Sequence, residues 1–260
     1  MPIHCDHLDG GIAVIEISKP ERRNALDLEM FESLAAQWER LAVDASVRCV
    51  LLTGSGAKAF CAGADLSEHL DRRPGIDDLV DRALLKTTMF PKPIVAAIRG
   101  ACVAGGLELA LAVDIRIASD DAQFGLPEVR WGIVPSGGGA MKLCDQIGLA
   151  RAMDMLLTGR MLHAEEAERI GLVSQRCASR DVAEIALERA RAISANSANA
   201  VAAVKRIALG RRASEYARAE ADERHLVELV RGTGDPEEGK RAFLEKRKPR
   251  FGPIARELSH

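Results

Sequence analysis

Apolar and polar positions alternate along Ile12-Ala13-Val14-Ile15-Glu16-Ile17, the period-two signature of a strand. Val47-Arg48-Cys49-Val50-Leu51-Leu52-Thr53 is a short apolar run ending at Gly54-Ser55-Gly56, and it reads as a second strand. Between them the period changes. Leu28, Phe31, Leu34, Ala35, Trp38, Leu41 and Ala42 recur at spacings of three and four, which predicts a helix with one buried face and Asp27 as its cap. Pro93 to Ile98 and Ile115-Arg116-Ile117-Ala118 are expected strands on either side of a helix from Gly105 to Val113. Strand, turn and helix units at irregular spacing point to an α/β core.

From about Gly137 the texture shifts to Ala, Arg, Glu and Leu, with helix stops expected at Gly159, Gly171 and Gly210. Asp235-Pro236-Glu237-Glu238 reads as a helix start, with a capping Asp, proline at the first helical position and acid in the first turn. The last hundred residues are therefore expected to be mainly helical. Several of these helices have apolar faces wide enough to pack on a neighbouring subunit, so a homo-oligomer is expected. No fixed-period repeat or low-complexity linker occurs. The polar, Pro/Gly-broken stretch from Glu68 to Asp78 is a candidate lid.

With 260 residues, 47% of them hydrophobic, the chain can fill one large domain or a core domain with an appendage. Net charge of -2 with 28% charged residues gives no chain-wide attraction for nucleic acid or an anionic membrane, and 3% aromatics supply few base-stacking platforms. The six cysteines are scattered without a Cys-x-x-Cys pair or a Cys/His cluster, so reduced, mostly buried thiols are expected and no metal site. No signal peptide or membrane span is read. A cytoplasmic location is the expectation, with a matrix protein lacking its transit peptide as the alternative.

The chemistry concentrates at two turns. Phe60-Cys61-Ala62-Gly63-Ala64-Asp65 and Ala101 to Glu108 each follow a strand-like run and open a helix-like one, so unpaired N–H groups of both can be aimed at one anion. Taken alone, the first is also an ordinary strand-to-helix turn. The second lacks the Ser or Thr a capping box needs three residues before Glu108, and its glycines leave helix-end N–H groups open beside a carboxylate. Glu128, after Pro127, reads either as a solvated first-turn acid or, given Phe124-Gly125 before it and Gly132-Ile133-Val134-Pro135 after it, as a carboxyl packed into the core with a raised pKa. Two donors and two carboxyls suit proton chemistry beside a carbonyl. Gly54-Ser55-Gly56 lacks the third glycine of a dinucleotide fingerprint, Ser136 is not in a Gly-x-Ser-x-Gly elbow, and no histidine has a partner at ligand spacing.

At these residues the chain resembles the crotonase family, the enoyl-CoA hydratase/isomerase superfamily. The likeness runs through Arg23-Asn24-Ala25-Leu26, Phe60 to Leu66, Gly100 to Glu108, Ala122 to Glu128, Leu157-Thr158-Gly159-Arg160 and Glu238 to Pro249. Six segments in the family's order make a specific match. The resemblance implies an α/β spiral of repeated β-β-α units over residues 1–195, and a C-terminal helical region over 196–260 that builds homotrimers or dimers of trimers. It implies an acyl-CoA substrate, with coenzyme A as part of the substrate and no separate cofactor.

By the same resemblance the N–H groups of Ala64 and Gly105 would form an oxyanion hole. Ala25, Ala62, Asp65 and Leu66 would line the CoA and acyl path, Lys58 would lie near the nucleotide end, and Phe243 and Lys246 would reach the CoA of an adjacent subunit. Both family glutamates are present, which favours hydration: Glu108 would activate water and Glu128 would deliver a proton. An isomerase, a dehydratase or a C–C lyase or hydrolase on the same scaffold is the sibling reading. A non-catalytic CoA-ester or RNA-binding member is the reading from another class. Ser136 stands where close hydratases usually have glycine, and Trp131 is bulkier than usual and would restrict the acyl group if it faces the pocket.

Overall fold

The computed structural model describes residues 2–65 and 73–258. The chain begins with an antiparallel hairpin, β1 (Ile3–Leu8) and β2 (Ile12–Ile17), followed by α1 (Leu28–Val43). Asp27 caps α1 as expected, its Oδ1 accepting the Met30 N–H at 2.9 Å. Met30, Phe31, Leu34, Ala35, Trp38 and Leu41 are the buried face. The Trp38 indole N–H is satisfied by the Ala83 carbonyl at 3.0 Å, so the ring adds apolar burial without an orphaned donor.

Three β-β units follow: β3 (Cys49–Gly54) with β4 (Ala59–Cys61), β5 (Ile94–Ile98) with β6 (Ala101–Val103), and β7 (Ile115–Ser119) with β8 (Gln123–Gly125). Helix α2 (Ile76–Leu84) follows the first and α3 (Gly105–Leu111) the second. Beyond lie α4 (Gly139–Ile147), α5 (Leu149–Thr158), β9 (Leu162–His163), α6 (Ala164–Arg169), β10 (Gln175–Cys177), α7 (Val182–Ser194), α8 (Ala198–Arg231) and α9 (Asp235–Leu244). Each β-β unit gives its first strand to a sheet ordered β1-β2-β3-β5-β7-β10 and its second to a sheet ordered β4-β6-β8-β9. Successive units stack in parallel, Leu51 on Val95 and Val95 on Ile115, so the chain winds as the expected spiral.

The inner strands of the larger sheet, β2, β3, β5 and β7, are mainly apolar on both faces because both are covered. Ala13, Ile15, Val50, Leu52, Ala96 and Ile98 point into the main core with α1, Phe60 and Phe124. Their alternates, Ile12, Cys49, Leu51, Val95, Ala97 and Ile117, pack against Val182, Ala186 and Ala190 of α7.

Two expectations are corrected. Gly210 does not stop a helix: α8 runs through it for 34 residues, anchored on both sides by Lys205 to Asp114 at 2.7 Å and Tyr216 to Asp145 at 2.6 Å. An interior glycine costs only about 1 kcal/mol relative to alanine, and these anchors outweigh it. Asp235 does not cap α9 either. Gly234 holds that position with φ of 82°, and Asp235 is the first helical residue.

The proposed lid lies partly outside the described residues. Its described end is tied to α8, Asp77 receiving both guanidinium nitrogens of Arg231 at 2.7 and 3.0 Å and Asp78 pairing with Arg224 at 2.8 Å. All six cysteines are free, but only Cys49, Cys61 and Cys102 are fully buried. Among the described residues no helix is long and apolar enough to cross a membrane.

Candidate active site

The turn after β4 bridges to the segment before α1. Leu26 donates its N–H to the Gly63 carbonyl at 2.8 Å and its carbonyl accepts the Asp65 N–H at 2.8 Å. In that parallel bridge the backbone groups of Ala64 face the opposite edge. Across from it, Gly105 opens α3, so its N–H has no partner within the helix. The preceding Ala104 is held at φ 50° and ψ −130° by donating its N–H to the Gly125 carbonyl at 2.9 Å, which kinks the chain at the helix start. The two turns touch: a Cβ at Gly105 would sit 3.8 Å from the Ala64 nitrogen, and one at Gly63 would sit 3.1 Å from the Gly105 nitrogen. Two outward amides thus stand side by side.

Both glutamates are buried, Glu108 being 5% and Glu128 6% exposed. Their environments differ. Glu108 Oε1 accepts the N–H groups of Gly137 at 2.7 Å and Gly139 at 3.0 Å, at the start of α4. Burial pushes its pKa up to about 7; the two N–H bonds and Lys142 oppose that rise, and Glu223 adds to it. Glu128 Oε2 is buried with no hydrogen-bond partner among the described residues. Burial, and then the nearby charge of Glu108, hold the Glu128 carboxyl well above the ordinary range. One carboxyl is gripped in a way that favours its ionised form, and the other is surrounded in a way that favours its proton.

A cavity of about 210 Å³ has Ala64, Trp131, Ile133, Val134, Ser136 and Val227 on its wall; of the two amides it touches that of Ala64, and Gly105, Glu108 and Glu128 lie behind its lining. Trp131 therefore faces the pocket. Asp65 also borders it, but both its oxygens accept from Arg22 at 3.0 Å. A second cavity of about 230 Å³ is lined by Arg23, Asn24, Ser55 and Lys58. Ala25 and Ala62 are half-buried on adjoining segments, joined by the Ala62 N–H donating to the Arg23 carbonyl at 3.2 Å. Leu66 lies outside the described residues. Phe243 is on the outside of α9 and sets its ring edge against Trp131 of the same chain, centroids 5.1 Å apart at 87°. Lys246 is exposed just beyond the helix.

Sequence reasoning passed over several residues that shape the site. Buried Asn24 donates to the carbonyls of Ser55, Ala59 and Phe60, at 3.0, 2.8 and 3.2 Å, and so fixes the loop that lines the second cavity. Lys86, Lys142 and Glu223 gather behind Glu108. Their only signal in the sequence is a lysine on an otherwise apolar helix face, which does not reveal its partners.

The enoyl-CoA hydratase/isomerase family model matches residues 7–253. The chain belongs to this family. It is 40% identical to the putative enoyl-CoA hydratase/isomerase YngF of Bacillus subtilis over 241 residues, 91% of this chain and 93% of that protein. It is 38% identical to enoyl-CoA hydratase EchA19 of Mycobacterium tuberculosis over 250 residues, 93% of each chain. A carnitinyl-CoA dehydratase from Mycobacterium avium superposes with a TM-score of 0.89 at 34% identity, covering 97% of this chain and 99% of that one. The spiral is the family's crotonase fold.

Proposed function

We propose that this protein is a hydro-lyase that adds water to a trans-2-enoyl-CoA thioester and gives the 3-hydroxyacyl-CoA. The contrast between the two buried carboxyls carries the proposal: Glu108 holds two backbone donors, whereas one oxygen of Glu128 has no hydrogen-bond partner among the described residues. Ionised Glu108 takes a proton from water as its oxygen bonds to the β-carbon, and protonated Glu128 gives its proton to the α-carbon. The charge that gathers on the thioester oxygen between these events is met by the N–H groups of Ala64 and Gly105. Each such donor contributes on the order of 3 kcal/mol to the transition state. Transfer of the gained proton from Glu108 back to Glu128 restores the starting state.

Trp131, Ala64 and Asp65 bound the acyl cavity in this reading, and Ala25 and Ala62 line the path to it. Lys58, on the second cavity, meets the nucleotide end of CoA, with Phe243 and Lys246 approaching CoA at a neighbouring subunit. Coenzyme A belongs to the substrate, and no further cofactor takes part. Residues 1–195 carry the carboxyls and amides of the site, residues 196–260 add Val227 to the cavity wall, and the latter region makes the oligomer contacts in a homotrimer or a dimer of trimers. The exposed apolar side chains of Val204 and Ile207 on α8, 65% and 83% accessible, support that assembly.

The test is a panel of short, long, branched and aromatic enoyl-CoA thioesters followed by loss of the conjugated enone absorbance. E108Q and E128Q are each expected to lower kcat by about 100- to 10,000-fold. If one substitution is nearly silent while double-bond migration continues, the hydratase reading gives way to an isomerase.

A further inference from the structure

Burying ionisable groups is costly unless they are paired, yet the space behind Glu108 contains three more than the proposed reaction uses. Lys86, just after α2, and Lys142, on α4, lie side by side beneath Gly138, the residue between the two donors that grip Glu108. A Cβ at Gly138 would be 3.2 Å from Lys86 Cγ and 3.5 Å from Lys142 Cε. Lys142 Nζ donates to the Leu85 carbonyl at 2.7 Å. Lys86 Nζ stands 3.2 Å from Glu223 Oε1, a contribution from α8, and those two side chains are only 7% and 13% exposed. Glu223 Oε2 has no hydrogen-bond partner among the described residues, so its carboxylate has one ammonium against it and no second donor.

We infer that Glu223 and Lys142 are positioning residues whose opposite charges act on the Glu108 carboxyl from the buried cluster behind the Gly137–Gly139 turn. The inference rests on the reading of Glu108 as the base that accepts a proton from water. Charges act strongly here because water is excluded and the Gly137–Gly139 turn fixes the carboxylate against the cluster. Glu223 raises and Lys142 lowers the pKa of Glu108, in addition to the dominant effect of burial. Lys142 is itself pulled down to about 8 by burial, against the attraction of Glu108 and Asp81. The other charged groups around this cluster are Asp81 on α2, Glu128 after β8, and Glu220 on α8 beside Glu223. Helix α8, which also sets Val227 on the cavity wall, thus reaches the cluster behind Glu108 through Glu223.

The test is the pH profile of kcat/KM with whichever enoyl-CoA thioester of the panel turns over fastest. E223Q is expected to move the acid limb to lower pH and K142M to move it to higher pH, each on the order of half a unit. E223D and K142R retain the charges and are expected to restore the wild-type midpoint. A merely structural role would lower the plateau of both variants, leave the midpoints in place, and so overturn the inference; shifts in the same direction would do so too. If K142M does not fold, the E223Q and E223D pair decides alone. If the wild type hydrates no thioester, the proposed function fails separately, and the opposed shifts are then read from the carbon-13 NMR titration of the Glu108 carboxyl, which needs no turnover.

Discussion

Gly239 of α9 lies flat against the carbonyl of Trp131: a Cβ at position 239 would fall 1.8 Å from that oxygen. The turn it presses on runs from Glu128 to Trp131, so one helix backs both a proposed proton donor and a wall of the proposed acyl cavity.

G239A is therefore expected to lift α9, break the edge contact between Trp131 and Phe243, and displace Glu128. Overpacking against backbone costs about 1 to 3 kcal/mol, since a carbonyl cannot rotate away as a side chain can. A thermal melt should show the loss, and kcat should fall with it. G210A is the converse. Nothing lies within 4 Å of a Cβ there, and removing a mid-helix glycine should stabilise the protein by up to about 1 kcal/mol with turnover unchanged.

The raised pKa of Glu108 predicts opposite effects on activity and stability. Because its pKa of about 7 in the fold exceeds the ordinary 4.5, the native state holds this proton more tightly than the unfolded chain does. Its contribution to stability is thus fully present below about pH 4.5 and is lost as pH rises through about 7. E108Q stays neutral and keeps an oxygen for the Gly137 and Gly139 N–H groups. It should gain stability over the wild type on the order of 3 kcal/mol at pH 8 and almost none at pH 4, as denaturant melts at the two pH values would reveal. Wild-type kcat/KM should fall on the acid side of about pH 7, where the base becomes protonated.

Legibility in the sequence followed the range of the interactions. Helix α1 was readable from its period and Asp27 because both signals are local. The turns at Ala64 and Gly105 stood out because small residues there sit next to a carboxylate. That the two turns meet was not readable from spacing, since it depends on how successive β-β units stack. The same holds for Arg22 with Asp65, 43 residues apart, and for Lys86 with Glu223 on a helix across the fold. Gly210 misled for the converse reason: its helix-breaking tendency is local, whereas the contacts that override it come from Asp114 and Asp145.

Asn24 offers a test of the loop that lines the second cavity. N24A removes the donor to three carbonyls and places a Cβ-bearing residue without a local hydrogen-bonding side chain at φ 56°. An unsatisfied buried acceptor costs about 1 to 3 kcal/mol, and left-handed strain adds about 1 to 2 kcal/mol for alanine. N24G loses the bonds but not the conformation. Denaturant melts should therefore rank wild type above N24G and N24G above N24A, and equal stability for the two variants would remove strain from the account.

Gly63 tests the meeting of the two turns most directly. Its φ of 87° disfavours any side chain, and a Cβ would fall 2.7 Å from the Cβ of Ala104 and 3.1 Å from the Gly105 nitrogen. G63A should push the β4 turn away from the start of α3 and spread the Ala64 and Gly105 amides, while Glu108 keeps its Gly137 and Gly139 donors from α4. Losing the alignment of one oxyanion donor lowers kcat by about 100- to 1,000-fold, roughly 3 kcal/mol, and that loss should appear with the pH midpoint nearly unchanged. A G63A enzyme with full turnover would show that the two amides do not share the thioester oxygen. A shifted midpoint would instead trace the damage to Glu108.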